Sequence, residues 1–288
     1  MVMIGILGGV IYAKKGVETR GVAKSARDLS YYNNFNDKTE AKFWGKKNCF
    51  NRDETFKTFN LNGCEKITFK KRKKIFLLGD SHSAYLSQYL KGFVLEKKFN
   101  LFQYSVAYCT PLSIKDKRQR CKDINSYILN KIQKEKPEII ILFANYYAYE
   151  SEKNNLEKIN FDKFILKRLV ELNKIGINKV LVLGQIPTWK LSLPKILIRH
   201  FVLKLKPIPE RTSDNLDLAS LYWEQKFEKN IFPENTKYLS LKNLLCNPEG
   251  CRTKIGDNLS KDLIVFDHSH LTKEGARFVT ENLLAKEF

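Results

Sequence analysis

The sequence predicts an α/β protein of three layers, α/β/α, with a parallel sheet between two layers of helices. Three observations predict it. Strand-like and helix-like segments alternate from residue 74 onward. The main strand-like segments, at 75–78, 138–144 and 179–183, are apolar runs, as strands covered on both sides require. Pro137, Gly176 and Gly184 fall where one type of segment gives way to the other.

Residues 2–13 (VMIGILGGVIYA) are apolar and uncharged, and Lys14 and Lys15 follow. A bilayer needs about 20 such residues. The run also has no basic flank before it and no clear cleavage site after it, as a signal peptide would. Residues 1–13 are therefore expected to be the remnant of a transmembrane helix from a longer chain. The two lysines favour a cytoplasmic flank, but the cysteines described below favour the opposite side and weigh more. Residues 14–46 are polar, Asn/Lys-rich and aperiodic, with Tyr31, Tyr32 and Phe35 interspersed, and are expected to be a linker. Residues 47–73 hold Cys49 and Cys64 and are expected to form a small disulfide-containing extension. Residues 74–288 form the main domain.

Within that domain residues 75–78 (IFLL) read as the first buried strand. Residues 83–99 carry helical spacing through Tyr85, Leu86, Tyr89, Leu90 and Phe93. Strands follow at 101–107, 138–144 (EIIILFA) and 179–183 (KVLVL). Helices are expected at 124–136, 161–175 and 216–230. A short strand is expected at 264–266 and a closing helix at 273–284. In a parallel sheet the chemistry gathers beyond the carboxyl ends of the strands. Ser81 follows the first strand, Asn145 the third, and Asp267 and His270 the last short one.

Composition bounds the function. Of 288 residues, 43% are hydrophobic and 28% charged, an ordinary globular balance. The formal charge of +20 is unusual and favours polyanions: acidic glycans, anionic headgroups or nucleic acid. The densest basic run, residues 70–74 (KKRKK), precedes a buried strand and reads as a solvated approach to the sheet. No nucleic-acid-binding motif accompanies it, so nucleic acid is not an expected partner. Six cysteines fall into neighbouring pairs, Cys49 with Cys64, Cys109 with Cys121 and Cys246 with Cys251, none at C-x-x-C spacing. Three short-range disulfides are expected, each adding about 2–3 kcal/mol. Free cytosolic thiols are the alternative, and six cysteines permit about 15 connectivities.

Two motifs carry chemistry. Residues 75–83 read IFLLGDSHS and residues 266–271 read FDHSHL. A serine hydroxyl needs a base to become a nucleophile. Histidine supplies one near neutrality. A carboxylate on the far imidazole nitrogen fixes the tautomer and steadies the imidazolium that forms. Ser81, His270 and Asp267 can fill these roles, since residues three apart share a face. The Ser81 N–H, at a helix start, would meet a developing oxyanion. The plainer readings are two helix caps, Asp80-Ser81 and Asp267. His82 adjoins the nucleophile and His268 adjoins Asp267, so neither suits the role of base. His268 and His270 alone make an incomplete metal set, and no metal is expected.

At these residues the chain resembles the SGNH-hydrolase superfamily. GDSHS is similar to its first block, with Ser81 as nucleophile, and DHSH to its last, with Asp267 and His270. The resemblance implies a flavodoxin-like sheet and an oxyanion role for Asn145 in FANYY. The second block, SVAYCTP, lacks the glycine that usually donates an N–H. With the apolar stub and the Cys109-Thr110-Pro111 loop, the chain is similar to the C-terminal domain of membrane acyltransferase-3 proteins. That implies an extracytoplasmic domain on the periplasmic side of the cell membrane, fused to a membrane acyltransferase domain. The implied donor is acetyl-CoA, acting through that membrane domain, with no bound cofactor. The implied acceptor is a hydroxyl of a cell-surface polysaccharide. The alternatives are a carbohydrate esterase or deacetylase, in which water replaces the sugar, and a silent glycan-binding module.

Residues 191–205 (LSLPKILIRHFVLKL) could form a basic amphipathic helix with Ile196, Leu197, Phe201 and Leu205 on one side. Lys195, Arg199 and Lys204 would line the rest. Packing on the sheet and docking at a membrane surface are both open to it.

Overall fold

The computed structural model describes residues 21–34, 49–51, 61–150 and 161–288. Residues 1–13, expected to be a membrane-helix remnant, lie outside the described residues. Among the described residues no helix is long and apolar enough to cross a membrane.

A six-stranded, wholly parallel sheet runs in the order β1-β3-β2-β4-β5-β7. Its strands are β1 (Phe50–Asn51), β2 (Lys74–Gly79), β3 (Asn100–Val106), β4 (Ile139–Phe143), β5 (Lys179–Leu183) and β7 (Thr236–Leu239). Taken in chain order, the five longer strands lie 2-1-3-4-5, the flavodoxin-like arrangement. The topological switch falls at β2, between β3 and β4, the place where open parallel sheets gather their functional groups. Ser81 stands at that point.

Side-chain alternation divides each strand between two cores. Ile75 and Leu77 of β2, with Ile139 and Ile141 of β4, join one core. That core is completed by Leu86, Leu90 and Val94 of α3 (Ser81–Glu96) and by Ala276 and Val279 of α10 (Lys273–Val279). Phe76, Leu78, Ile140 and Leu142 face the other way. They meet Ile124 and Ile128 of α4 (Gln119–Glu135), Ile165 and Leu169 of α6 (Phe161–Lys174), and Trp223 and Phe227 of α8 (Leu218–Glu228).

Four expectations change. Within the expected linker, α1 (Gly21–Ser30) is helical, and Leu29 and Tyr32 are buried in the first core. The extension adds β1 to the sheet edge beside β3, tied by Cys49–Cys64 to α2 (Leu61–Cys64). Residues 264–266 form no sheet strand. Val265 and Leu263 make single bridges to Leu271 and Lys254, because this segment turns back on its own loop. The last strand of this sheet is instead β7 at its edge, where a half-buried Thr236 and an exposed Lys237 hide the period. The segment 191–205 packs on the domain through α7 (Leu193–His200), where Leu193, Ile196 and Leu197 are buried. Leu205 lies off that face and is 79% exposed, because the helix stops at a turn where Leu205 is left-handed.

All three expected disulfides form: Cys49–Cys64, Cys109–Cys121 and Cys246–Cys251. The last closes the hairpin of β8 (Cys246–Asn247) and β9 (Gly250–Arg252). It sits in a small antiparallel sheet with β6 (Arg211–Thr212). A short helix, α9 (Leu241–Leu245), leads into it.

Candidate active site

The turn that presents Ser81 is set by three residues. Gly79 ends β2 at φ 154°, and a Cβ there would lie 1.8 Å from the Phe143 carbonyl oxygen of β4. Only glycine lets the two strand ends approach so closely. Asp80 caps α3, its Oδ1 accepting from the His82 N–H at 2.9 Å. Ser81 is then the first helical residue, half-buried. Among the described residues no backbone acceptor takes its N–H, as expected in a first helical turn.

His270 reaches it from the opposite motif. His270 Nε2 is 2.8 Å from Ser81 Oγ, and His270 Nδ1 is 2.7 Å from Asp267 Oδ2. The other Asp267 oxygen, Oδ1, accepts from the backbone N–H groups of Ser269 at 3.0 Å and His270 at 2.8 Å. Burial pushes the Asp267 carboxyl up. The adjacent His270 and these hydrogen bonds outweigh it and hold the group down at about 2. The imidazole is bracketed by aromatic rings, Tyr85 at 4.8 Å and Phe266 at 5.7 Å between centroids. The loop is fixed from outside by α7 and the strand of chain before it. Leu193 N–H donates to the Asp267 carbonyl at 2.9 Å, and Trp189 N–H to the His268 carbonyl at 3.0 Å.

The other expected residues fall as follows. Asn145 begins the turn after β4, and its N–H donates to Asp80 Oδ2 at 2.9 Å. Gln185 Nε2 donates to Asn145 Oδ1 at 3.1 Å, and Gln185 Oε1 accepts from Tyr147 N–H at 3.0 Å. These bonds fix both amides, leaving the Asn145 NH2 as a donor at the same sheet edge. His268 is turned away, with Nδ1 2.9 Å from the Trp189 carbonyl. His268 and His270 are thus committed to different partners. Among the described residues no group of three His, Cys, Asp or Glu side chains could hold a metal ion.

Sequence reasoning missed the layer behind the triplet. Asp80, His82 and Ser269 lie within the same two motifs and are all buried. His82 bridges the other two, at 3.2 Å to each. Tyr149 Oη lies 2.8 Å from Asp80 Oδ2 and 3.0 Å from the Cys109 carbonyl, joining the disulfide loop to the turn that carries Ser81. In the glycine-free second block, Tyr108 takes φ 60°, the left-handed conformation that favours glycine.

A family model described as "SGNH domain (fused to AT3 domains)" matches residues 48–285. Among solved structures, the chain is similar to the lipopolysaccharide acetyltransferase periplasmic domain of Salmonella ser. Paratyphi A. Identity is 23% and the TM-score 0.69, over 87% of this chain and 94% of that one. A second similar structure is the acetyl xylan esterase AlAXEase, at 17% identity and a TM-score of 0.43, over 73% of this chain and 96% of that one. A search of curated proteins finds no match.

Proposed function

We propose that this chain, which belongs to the family of SGNH domains fused to AT3 domains, is an extracytoplasmic O-acyltransferase domain acting on a cell-surface polysaccharide. The observation that carries the proposal is the continuous Ser81–His270–Asp267 hydrogen-bond chain, at 2.8 and 2.7 Å, beside the switch point of the sheet. Its polarity suits acyl transfer. Asp267 accepts from Nδ1–H, so Nε2 faces Ser81 as the base.

In this reading Ser81 Oγ attacks the acyl carbonyl and its proton passes to His270 Nε2. The tetrahedral oxyanion is met by the Ser81 N–H and the Asn145 amide. Collapse of the intermediate expels the donor's leaving group, which takes the proton from His270. A sugar hydroxyl then attacks the acyl-Ser81 ester, His270 takes the hydroxyl proton, and Ser81 Oγ recovers it. Transfer and hydrolysis differ only in whether sugar or water attacks, and fusion to AT3 domains in this family favours transfer. The donor would be acetyl-CoA, its acyl group brought through a membrane acyltransferase domain of the same longer chain. The basic patch of Lys195, Arg199 and Lys204, with Leu203 and Leu205 exposed among them, would lie toward the bilayer.

The test is direct acylation. Incubation with p-nitrophenyl acetate should place an acetyl group on Ser81, found by peptide mass mapping, and Ser81→Ala should abolish it. Added acidic oligosaccharide should then divert the acyl group from water to sugar. Acetyl-ester turnover that survives Ser81→Ala would sink the reading.

A further inference from the structure

The two motifs are joined by a second histidine that the acyl chemistry does not use. His82 is 2% exposed. Its Nδ1 lies 3.2 Å from Asp80 Oδ1 and its Nε2 lies 3.2 Å from Ser269 Oγ. Asp80 also accepts from the N–H groups of His82 and Asn145 and from Tyr149 Oη, at 2.8–2.9 Å. Burial pushes its carboxyl up, but the adjacent His82 and the N–H groups of Asn145 and His82 outweigh this and hold it below the ordinary value, as the carboxylate. Burial, in turn, holds His82 below its ordinary value and keeps it neutral. A neutral ring beside a carboxylate carries its proton on the nitrogen that faces the carboxylate. Nδ1–H therefore donates to Asp80, and Nε2 is left to accept the Ser269 hydroxyl hydrogen.

Ser269 is thereby fixed at both ends. Its hydroxyl donates to His82, and its backbone N–H donates to Asp267 Oδ1 at 3.0 Å. Asp267 is the carboxylate that orients His270. The contacts run from Asp80 through His82, Ser269, Asp267 and His270 to Ser81, and close on themselves because Ser81 lies between Asp80 and His82. The His82 ring also stands 4.8 Å from the His270 ring, with Phe143 edge-on at 5.6 Å.

We propose that His82 and Ser269 are positioning residues for acyl transfer, registering the base-bearing loop on the nucleophile turn so that the His270 imidazole is held over Ser81. This role rests on Ser81 and His270 being the reacting pair. Misplacement of a reacting group by about 1 Å can cost about 100-fold.

The experiment uses the whole chain with p-nitrophenyl acetate, following the p-nitrophenolate burst and acetyl-Ser81 by mass, with thermal unfolding in parallel. Ser269→Ala and His82→Gln should each slow acetylation about 10- to 100-fold at saturating ester, with KM little changed. Because both act through one contact, the His82→Gln/Ser269→Ala double variant should be no slower than the slower single one. Ser269→Thr keeps the hydroxyl and should recover most of the rate. Should His82→Gln fail to fold, the Ser269 pair decides alone. Wild-type rates in Ser269→Ala, or losses that multiply in the double variant, overturn the positioning role. A wild-type chain that never becomes acetylated overturns the acyl-enzyme reading and this role with it.

Discussion

Both nitrogens of His270 are occupied, one by Ser81 and the other by Asp267, so the direction of proton movement is set before any substrate arrives. Asp267→Asn tests this setting. The amide can still accept from the Ser269 and His270 N–H groups, but its NH2 favours the wrong imidazole tautomer. Acetylation of Ser81 should fall by about 1,000- to 10,000-fold, with the fold intact by circular dichroism. The Asp267 carboxylate should keep its charge down to low pH. The carboxyl is depressed in the folded state, to about 2, so its stabilising contribution is complete above the ordinary 3.8 and is lost as pH falls through about 2. The meeting of Ser81, His270 and Asp267 was legible in the sequence because a hydroxyl, an imidazole and a carboxylate are distinct chemical types in two compact motifs. Asp80, His82 and Ser269 occupy the same motifs but were not legible as a unit. Spacing does not reveal which hydroxyl meets which ring across 187 residues.

Among the elements, β2, β4 and β5 were readable because a strand covered on both faces needs an unbroken apolar run, and β3 was readable although it buries the polar Gln103 and Ser105. The edges were not. β7 alternates a half-buried Thr236 with an exposed Lys237, and α1 is too short and polar to signal packing, although Leu29 is fully buried. A further feature invisible to pattern is the buried Glu224 of α8, which reaches the start of α9. Its Oε1 accepts from Ser240 Oγ at 2.7 Å and Lys242 N–H at 3.0 Å, while Oε2 has no partner among the described residues. Burial pushes this carboxyl up to about 7, against the pull of those two donors. The folded chain therefore holds the proton more tightly than the unfolded chain does. Stability falls as pH rises from the ordinary 4.5 through about 7, by roughly 3 kcal/mol at the end of the window. Glu224→Gln should flatten that fall, so that the Tm difference between about pH 5 and about pH 8 shrinks. An unchanged difference would show that another group governs it.

At the scale of the whole molecule, the formal charge of +20 and the topological switch point act together. In the proposed function the charge would draw an acidic acceptor toward the domain, and the switch point would fix where its hydroxyl meets Ser81. The fold class was legible because alternation and buried strands admit few topologies. The proposed acceptor was not legible from the residues, because no motif encodes a sugar. The disulfides carry a different consequence, one of timing. Each joins a cysteine to the next one along the chain, at separations of 15, 12 and 5 residues. If the chain emerges N-terminus first, its thiols appear in order, and each odd-numbered arrival waits only for its immediate successor. An oxidant that links consecutive arrivals writes the native set without proofreading. Reoxidation of the reduced chain without a disulfide isomerase should yield the native pairs as the main product by peptide mapping. A scrambled mixture that needs an isomerase would show that nearness along the chain is not enough, and that the native set depends on the order in which the thiols appear.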